Sequence, residues 1–340
     1  MRKLISFTVP CYNSAEYMHI CIDSLLKGGD KVEIIIIDDG SKDRTGEIAD
    51  EYAAKYPDII KVVHQENGGH GEGINQGIKH ATGVYFKVVD SDDWVGEHAL
   101  TQLLDYIGGR ADEQLPDLMV CNYVYYIKEK GPDRTIKFKN IFPEWKQVSW
   151  EQTKPFGISQ NLTLHSCMFK TSVMKENGIV LPKHTFYEDN YYVYYSIPFV
   201  SRIQYFDLDF YFYLIGRDGQ SVAKEALLKR YAQQLKVTKL CFESHRILEL
   251  KDKRPKLYKV MYHHLRLMFL LSSLFCRLNK TKEHDEDMKK FWEELYNIDT
   301  PLADKMKKHS LAAWLNIPGK PGQFVCSFAY ELAHRFVKFN

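Results

Sequence analysis

The sequence has few features that would assign it to a specialised class of protein. Its longest apolar tract, residues 265–275, is interrupted by Arg266 and two serines, and it is shorter than the ~20 residues that span a bilayer. The seven cysteines are scattered without paired spacing, which argues against a disulfide framework or a zinc site. The first residues lead into a strand-like run and carry no apolar signal segment. We therefore expect a cytoplasmic protein, with peripheral attachment at the inner membrane face as a further hypothesis.

The chain also lacks an excess of charge of either sign. Lysine and arginine together number 46, aspartate and glutamate number 44, and the formal net charge is +2. Nucleic-acid-binding proteins typically present a concentrated basic surface, so we expect no nucleic-acid partner. With 340 residues, of which 45% are hydrophobic, the chain exceeds the usual size of a single core. We expect one large domain with an appended region.

What the sequence does contain is an acidic cluster directly after an apolar run. Residues 84–89 have the pattern of a buried strand, and carboxylates follow at Asp90, Asp92 and Asp93. Close carboxylates repel each other unless a cation joins them, and Mg²⁺ and Mn²⁺ take carboxylate oxygens together with substrate phosphates. The alternative is an acidic turn that caps the next helix, because aspartate is common at helix N-termini.

Strand-like and helix-like segments alternate through the first ninety residues. The apolar runs are residues 4–9, 32–37, 59–64 and 84–89. Segments of helical character separate them, which predicts an α/β fold with a doubly wound, mostly parallel sheet. Polar turns end three of the runs, at residues 10–13, 38–41 and 90–93. Because parallel strands place their carboxyl ends at one edge of a sheet, we expect these turns to line one ligand-binding crevice.

The pattern changes near residue 220, where strand-like signals stop and helical segments begin. We expect an α/β domain over residues 1–220 and a helical region over residues 221–340. Near the end, apolar residues recur at four-residue spacing, at Phe324, Phe328, Leu332 and Phe336. This stripe predicts an amphipathic helix that packs on the protein's own core, forms a homodimer surface or lies on a membrane.

Motifs at five places resemble, in the same order, those of the inverting family-two glycosyltransferases of the GT-A fold, which include enzymes of bacterial cell-surface polysaccharide synthesis. They are Val9-Pro10-Cys11-Tyr12-Asn13, Ile37-Asp38-Asp39-Gly40-Ser41, Asn67-Gly68-Gly69, Asp90-Ser91-Asp92-Asp93 and Glu188-Asp189. The resemblance covers residues 4–221 and rests on the set rather than on any one motif.

The resemblance implies a set of residues that bind a nucleotide-diphospho-sugar donor. Pro10, Tyr12 and Asn13 would lie at the base pocket, and Asp39 would accept a hydrogen bond from a uracil N–H. A plain Asp-Gly turn is the alternative for Asp39. The other donor-binding residues that the resemblance implies are Asn67, Gly68, Gly71, Asp90, Ser91 and Arg217. His70, in the same glycine-rich loop, is expected to face solvent.

The resemblance also implies a metal-dependent reaction. Asp92, together with Asp90, would hold Mn²⁺ or Mg²⁺ at the donor diphosphate. Asp189 would be the general base that deprotonates the acceptor hydroxyl, with Glu188 as the second choice. The alternative for this acidic pair is that it only begins a helix, whose dipole acidic residues complement.

We therefore expect a glycosyltransferase of the hexosyl or hexosaminyl class, with a UDP-sugar as donor, a glycan or lipid-linked acceptor and inversion at the anomeric carbon. One alternative is a nucleotidyltransferase that makes the sugar nucleotide, although that class calls for a basic glycine-rich loop where this chain has residues 10–13. Another is a non-catalytic sugar-nucleotide-binding protein on the same fold. An oxidoreductase with a Gly-x-Gly-x-x-Gly turn is disfavoured, because the glycine cluster follows the third apolar run.

Overall fold

The structure is a computed structural model that describes residues 2–216, 228–278, 281–309 and 324–325. The chain divides into two compact units. The first unit comprises Met1–Lys154 and Leu162–Ile215, and the second comprises Pro155–Asn161 and Gly216–Asn340. The domain boundary expected near residue 220 lies outside the described residues, as does the C-terminal apolar stripe beyond Phe324. Both stay predictions.

The first unit begins with the alternation of strands and helices that the sequence predicts. The elements are β1 (Ile5–Cys11), α1 (Met18–Leu26), β2 (Val32–Asp38), α2 (Thr45–Lys55), β3 (Ile60–His64), α3 (His70–His80) and β4 (Tyr85–Val88). The four strands pair in parallel in the order β3-β2-β1-β4. Residues 34–37 of β2 are fully buried, because helices and neighbouring strands leave an inner parallel strand no solvent-facing side.

The sheet continues into a mixed half. Its elements are β5 (Trp94–Val95), α4 (Glu97–Gly108), β6 (Leu118–Ile127), β7 (Gly131–Ile136), β8 (Gln147–Val148), β9 (Cys167–Lys170), α5 (Thr171–Glu176), α6 (Glu188–Ser196) and β10 (Ile203–Ile215). β9 lies antiparallel between β4 and β6, and β10 pairs in parallel with β6. The fold is therefore α/β with a sheet that is parallel in its N-terminal half, as predicted. β9 begins at Cys167, directly after a turn formed by residues 163–166.

Helix α3 lies unusually close to β1. A Cβ atom at Gly77 would be 2.2 Å from Thr8 Oγ1, and one at Gly73 would be 2.9 Å from the Cβ of Pro10. The spacing of four residues puts both glycines on one face of the helix. Their lack of side chains lets the helix backbone rest on the strand. The first residue of α3, His70, consequently reaches the carboxyl edge of the sheet.

The second unit is helical, as the sequence predicts. Its helices are α7 (Tyr231–Ser244), α8 (Leu250–Lys253), α9 (Pro255–Leu278), α10 (Lys282–Ile298) and α11 (Thr300–His309). Within it, buried His264 of α9 is hydrogen-bonded at Nδ1 to Asn161, at 2.9 Å. Over the described parts of the chain, none of the helices combines the length and hydrophobicity that a membrane span requires.

Candidate active site

Direct hydrogen bonds join the turns at the carboxyl ends of β1, β2 and β4. The Oγ atoms of Ser14 and Ser91 are 2.8 Å apart, which links the turn after β1 to the acidic turn after β4. The backbone N–H of Asn13 donates to Ser41 Oγ at 3.0 Å, which links the first turn to the turn after β2. Asn13 itself adopts a left-handed conformation, with φ of 51°, which asparagine tolerates better than most residues. The three turns therefore lie together, as the parallel strand order requires.

The Asp39 carboxylate anchors the glycine-rich loop that precedes α3. Its Oδ1 accepts hydrogen bonds from the Gly68 backbone N–H and the Gln65 side-chain amide, both at 2.7 Å. Its Oδ2 accepts the Gly69 N–H at 2.8 Å, and the Asn67 amide donates to the Asp39 carbonyl at 2.9 Å. An ionised carboxylate offers about four acceptor positions, so three protein donors leave it capacity for one more. Asp39 is thus a buried organiser of the loop, and its predicted contact with the base stays a prediction.

His70 joins this loop to two of the predicted acidic motifs. Its Nε2 lies 2.9 Å from Asp90 Oδ1, and its Nδ1 lies 2.6 Å from Glu188 Oε1. Because ionised carboxylates only accept hydrogen bonds, this arrangement requires a proton on both ring nitrogens. Burial opposes the charged imidazolium, but the Asp90 and Glu188 carboxylates outweigh it and raise the pKa of His70 well above its ordinary value. The expectation that His70 faces solvent missed these contacts: the side chain is 36% exposed, but both ring nitrogens lie against protein carboxylates.

Asp189 stands next to this bridge, in the first turn of α6. Burial, followed by the charge of Glu188, raises the pKa of the Asp189 carboxyl to about 7, against the opposing influence of His70. Its Oδ1 accepts a hydrogen bond from the Asn190 side chain at 3.1 Å. A carboxyl group with a pKa near neutrality can take up and release a proton under working conditions.

Asp93, the last residue of the acidic turn, is held by hydrogen bonds from β10. Its side chain is fully buried, and it accepts hydrogen bonds from the Tyr211 hydroxyl at 2.6 Å and the Leu214 N–H at 2.8 Å. Burial and the charges of Asp92 and Asp90 raise the pKa of Asp93 well above its usual range. The Tyr211 hydroxyl also accepts the Asp90 N–H at 3.2 Å. β10 therefore fixes the backbone at the start of the acidic turn and the side chain at its end.

A buried lysine supports the same turn. Lys87 in β4 donates to the carbonyl oxygens of Leu164, His165 and Cys167 at 2.7, 2.8 and 3.1 Å. Its ammonium lies 4.8 Å from the ring centre of Tyr211, a favourable cation–π distance. Burial lowers the pKa of Lys87 to about 8. These contacts hold the segment before β9, and hence His165, against the acidic turn.

One group of side chains here has the chemistry of a divalent-cation site. Asp90, Asp93 and His165 offer ligand atoms that all lie within 4.8 Å of one another. Burial lowers the pKa of His165 to about 4, so the imidazole is neutral, as a metal ligand must be. Two carboxylates and an imidazole suit Mn²⁺ better than an all-oxygen cation such as Mg²⁺. Asp92, which the sequence places at the cation, is not in this group, and its role stays a prediction.

Comparison with known proteins assigns the chain to a family. The model of the family described as "Glycosyl transferase family 2" matches residues 6–175, which span β1 to α5 and the acidic turn. The chain belongs to glycosyl transferase family 2. It is therefore a glycosyltransferase, and the alternatives of a nucleotidyltransferase and an oxidoreductase are not adopted.

Relatives of this glycosyltransferase include proteins of two Bacillus species. The chain is 26% identical over 315 residues to EpsH of Bacillus subtilis (strain 168), described as a glycosyltransferase, and the match covers 91% of this chain and 86% of EpsH. It is 30% identical over 225 residues to a poly(ribitol-phosphate) beta-glucosyltransferase of Bacillus spizizenii, covering 64% of this chain and 33% of that protein. The chain thus spans most of the first relative and a third of the second.

Solved structures share the fold of the enzyme. Staphylococcus aureus TarS residues 1–349, in complex with UDP-GlcNAc, superpose with a TM-score of 0.53 at 20% identity over 90% of each chain. The mannosyltransferase PcManGT of Pyrobaculum calidifontis, in complex with GDP-Man and Mn²⁺, gives a TM-score of 0.54 at 15% identity and covers 100% of this chain and 82% of that one. At these identities the likeness supports the GT-A fold alone.

The remaining residues that the sequence predicts to bind the donor differ in their exposure and surroundings. Tyr12 is 48% exposed at the end of β1, where its ring is accessible to a ligand. Pro10 is buried against α3, and Gly71 is buried where a Cβ atom would lie 3.0 Å from the Glu188 side chain. Arg217, expected to reach the diphosphate, lies outside the described residues. Their roles in donor binding stay predictions.

Sequence reasoning missed three residues that organise the site, namely His70, Lys87 and Tyr211. Lys87 gave a usable signal, because a lone lysine in an otherwise apolar strand next to an acidic turn has to find partners when buried. His70 gave only a weak signal, its place in the glycine-rich loop. Tyr211 gave none, since six of the thirteen residues of β10 are aromatic and nothing distinguishes this one.

Proposed function

We propose that this glycosyltransferase moves a sugar from a UDP-linked donor to an acceptor hydroxyl with inversion at the anomeric carbon. The observation that carries the proposal is the pairing of an acidic turn at the end of β4 with Asp189, whose pKa is about 7. His70 connects the two sides through Asp90 and Glu188. The site thus has a donor side rich in carboxylates and an acceptor side with a carboxyl group suited to proton transfer.

In the proposed reaction Asp189 acts as the general base. Its carboxylate takes the proton of the acceptor hydroxyl as that oxygen attacks the anomeric carbon of the donor sugar. The new glycosidic bond forms as the bond between the anomeric carbon and the phosphate oxygen breaks, and the nucleoside diphosphate leaves with the bonding electrons. Attack opposite the leaving group inverts the configuration. One base is sufficient for this single displacement, and Asp189 supplies it in this proposal.

The donor diphosphate calls for a divalent cation in this proposal. Asp90 and Asp92 would hold it, with Asp93 and His165 as further ligands that the geometry of the turn supports. When bound, Mn²⁺ or Mg²⁺ would neutralise the negative charge that develops on the leaving diphosphate. UDP as the nucleotide is supported by TarS, a fold neighbour in complex with UDP-GlcNAc. Mn²⁺ is supported by PcManGT, a fold neighbour in complex with GDP-Man and Mn²⁺.

The acceptor in this proposal is a glycan or a lipid-linked saccharide of the cell surface. A relative named as a poly(ribitol-phosphate) beta-glucosyltransferase supports a polymer as acceptor. Attachment to a membrane, or to a second copy of the chain, would depend on the C-terminal apolar stripe. That stripe lies largely outside the described residues.

Calorimetry with a panel of donors tests the proposal. UDP-, GDP- and dTDP-sugars are titrated into the protein with Mn²⁺ and again with a chelator. We expect a UDP-sugar to bind at least tenfold more tightly with Mn²⁺ than without it. Absence of metal-dependent binding for every donor would contradict the proposal, and preference for a GDP-sugar would replace its donor. Nuclear magnetic resonance of the product formed from the preferred donor then reads the anomeric configuration.

A further inference from the structure

The histidine in the glycine-rich loop occupies a position that the reaction as described does not use. His70 is the first residue of α3, and its two ring nitrogens are the contacts between Asp90 on the donor side and Glu188 on the acceptor side. The three residues come from separate parts of the chain, 20 and 118 residues away from His70. An imidazole ring has a fixed width between its nitrogens, so this bridge sets the separation of the two carboxylates.

We propose that His70 is a positioning residue for sugar transfer, a rigid cross-link that holds the donor-side carboxylate Asp90 and the N-terminus of the helix carrying Asp189 at a fixed separation. The inference rests on the proposed function. His70 touches neither of the bonds that change in that reaction. It acts through its two carboxylate partners.

The packing around His70 supports a positioning role. The Glu188 side chain is only 4% exposed, and a buried carboxylate needs a partner of opposite charge or several hydrogen bonds. Tyr187, just before α6, has a left-handed backbone with φ of 69°, which costs energy for a residue of this size. The contact with His70 is therefore one of the interactions that stabilise this unfavourable backbone conformation at the start of α6. Without it, Asp189 would lose its alignment with the donor side.

The bridge also places a positive charge beside the proposed base. The groups that act on Asp189 are Glu188 and Asp90, which raise its pKa, and His70, which lowers it, together with the Asn190 N–H. Loss of the His70 charge should therefore raise the pKa of Asp189 above about 7. A residue that only filled space would leave this pKa unchanged. The position of the Asp189 titration is thus a readout specific to the charged bridge.

The chain offers a matched control in a second bridging histidine. His64 also lies between two carboxylates, with Nδ1 2.9 Å from Asp38 and Nε2 3.1 Å from Asp50. It lies at the end of β3, away from the acidic turn, and its side chain is 49% exposed. His64→Gln removes the same chemical group from the same kind of bridge. It should leave kcat and its pH dependence unchanged.

The experiment compares His70→Gln, His70→Lys and His64→Gln with the wild-type enzyme, using the preferred donor. We expect His70→Gln to lower kcat by roughly tenfold or more, to leave the donor Kd within about twofold, and to move the acidic limb of the kcat profile upward by roughly half a pH unit or more. His70→Lys retains the positive charge, but its ammonium group contacts only one carboxylate at a time. The acidic limb of its kcat profile should therefore stay near the wild-type position, while kcat falls. Should His70→Gln fail to fold, a wild-type kcat in His70→Lys would overturn the inference.

A measurement without substrate separates this inference from the proposed function. ¹³C-labelled aspartate gives the Asp189 titration directly by nuclear magnetic resonance, and it should move to higher pH in His70→Gln and stay in place in His64→Gln. If the wild-type enzyme transfers no sugar but the titration moves as expected, the proposed function is wrong and the bridge stands. If the wild type is active while His70→Gln matches it in kcat and in titration, the inference about His70 is wrong.

Discussion

Two acidic turns lie at the same edge of the sheet, and the electrostatic surroundings of their carboxylates differ. The turn after β2 carries Asp38 and Asp39. Its carboxylates accept hydrogen bonds from the backbone N–H groups of Ser41, Gly68 and Gly69. Burial opposes ionisation of Asp38, but hydrogen bonds from Ser41 and His64 overcome it and lower its pKa. Hydrogen bonds from neighbouring residues therefore stabilise the two carboxylates of this turn.

The turn after β4 is in the opposite condition. Asp90, Asp92 and Asp93 stand close together with Glu188 and Asp189 nearby, and burial with mutual repulsion raises the pKa of Asp93 and of Asp189. The pKa of Asp90, by contrast, is lowered, because its burial is outweighed by His70. His70 and Lys87 offset only part of this charge. The difference indicates that acidic residues held by several donors of their own chain shape a loop, whereas the crowded acidic residues near the turn after β4 are those that the proposed function assigns to a cation and a proton. Substitutions in the two turns should therefore change different properties.

The largest expected effect comes from Asp189 in the first turn of α6, one of the carboxyl groups crowded near the turn after β4. Asp189→Asn should reduce transfer by about 10²–10⁴-fold, because general-base catalysis contributes about this much. Donor affinity should stay within about twofold, and the thermal midpoint should stay equal or rise, because a crowded carboxyl group is removed. Steady-state kinetics, calorimetry and thermal melting test the three statements. Retention of more than a tenth of the wild-type rate would show that another group is the base.

A smaller effect, on stability and not on sugar transfer, is expected from the turn after β2. Asp39→Asn should lower the free energy of unfolding by about 1–3 kcal/mol, because the amide would turn an N–H toward backbone N–H donors that need an acceptor. The thermal midpoint should fall by a few degrees, about 2–4 °C for each kcal/mol in a domain of this size. Asp58→Asn, an exposed site, is the control. An unchanged midpoint in Asp39→Asn would contradict the contrast drawn between the two turns.

The smallest effect should come from His64, at the outer edge of the turn after β2. Hydrogen bonds to Asp38 and Asp50 raise the pKa of His64, so the folded state binds its proton more tightly than the unfolded chain does. Its contribution to stability is therefore fully present below its ordinary pKa of about 6.5 and is lost as the pH rises through the raised value. His64→Gln should cost less than about 1 kcal/mol, because the site is half exposed. Denaturant titrations at pH 5.5 and pH 9 should show the difference only at the lower pH.

The sequence predicts well the part of the candidate site that lies at the ends of the parallel strands, because adjacent residues encode each strand and its turn. Each of the first four strands is a short apolar run that ends in a polar turn, and the alternation with helices fixes a parallel order. The positions of Asp39 and Asp90 at the edge of the sheet follow from that order. The helical character of the second unit follows in the same way from its periodicity.

The contacts that complete the site could not be predicted in this way. His70 meets Glu188 across 118 residues, and Tyr211 meets Asp93 across a similar separation. No local pattern encodes such pairings. The insertion of β9 in antiparallel sense between β4 and β6 likewise depends on the three-dimensional course of residues 128–166. Long-range polar pairing, rather than secondary structure, is where sequence reasoning fell short.

The close seating of α3 on β1 has a consequence for redesign of the enzyme. Gly73 and Gly77 leave no room for any side chain against Pro10 and Thr8, so even alanine would lift the helix and carry His70 away from the acidic turn. A mutant library intended to change donor preference should therefore keep both glycines constant. Tyr12 is exposed at the same edge and has no such restriction. Because the sequence predicts Tyr12 at the base pocket, we expect variation there to change nucleotide preference without disturbing the alignment of the carboxylates.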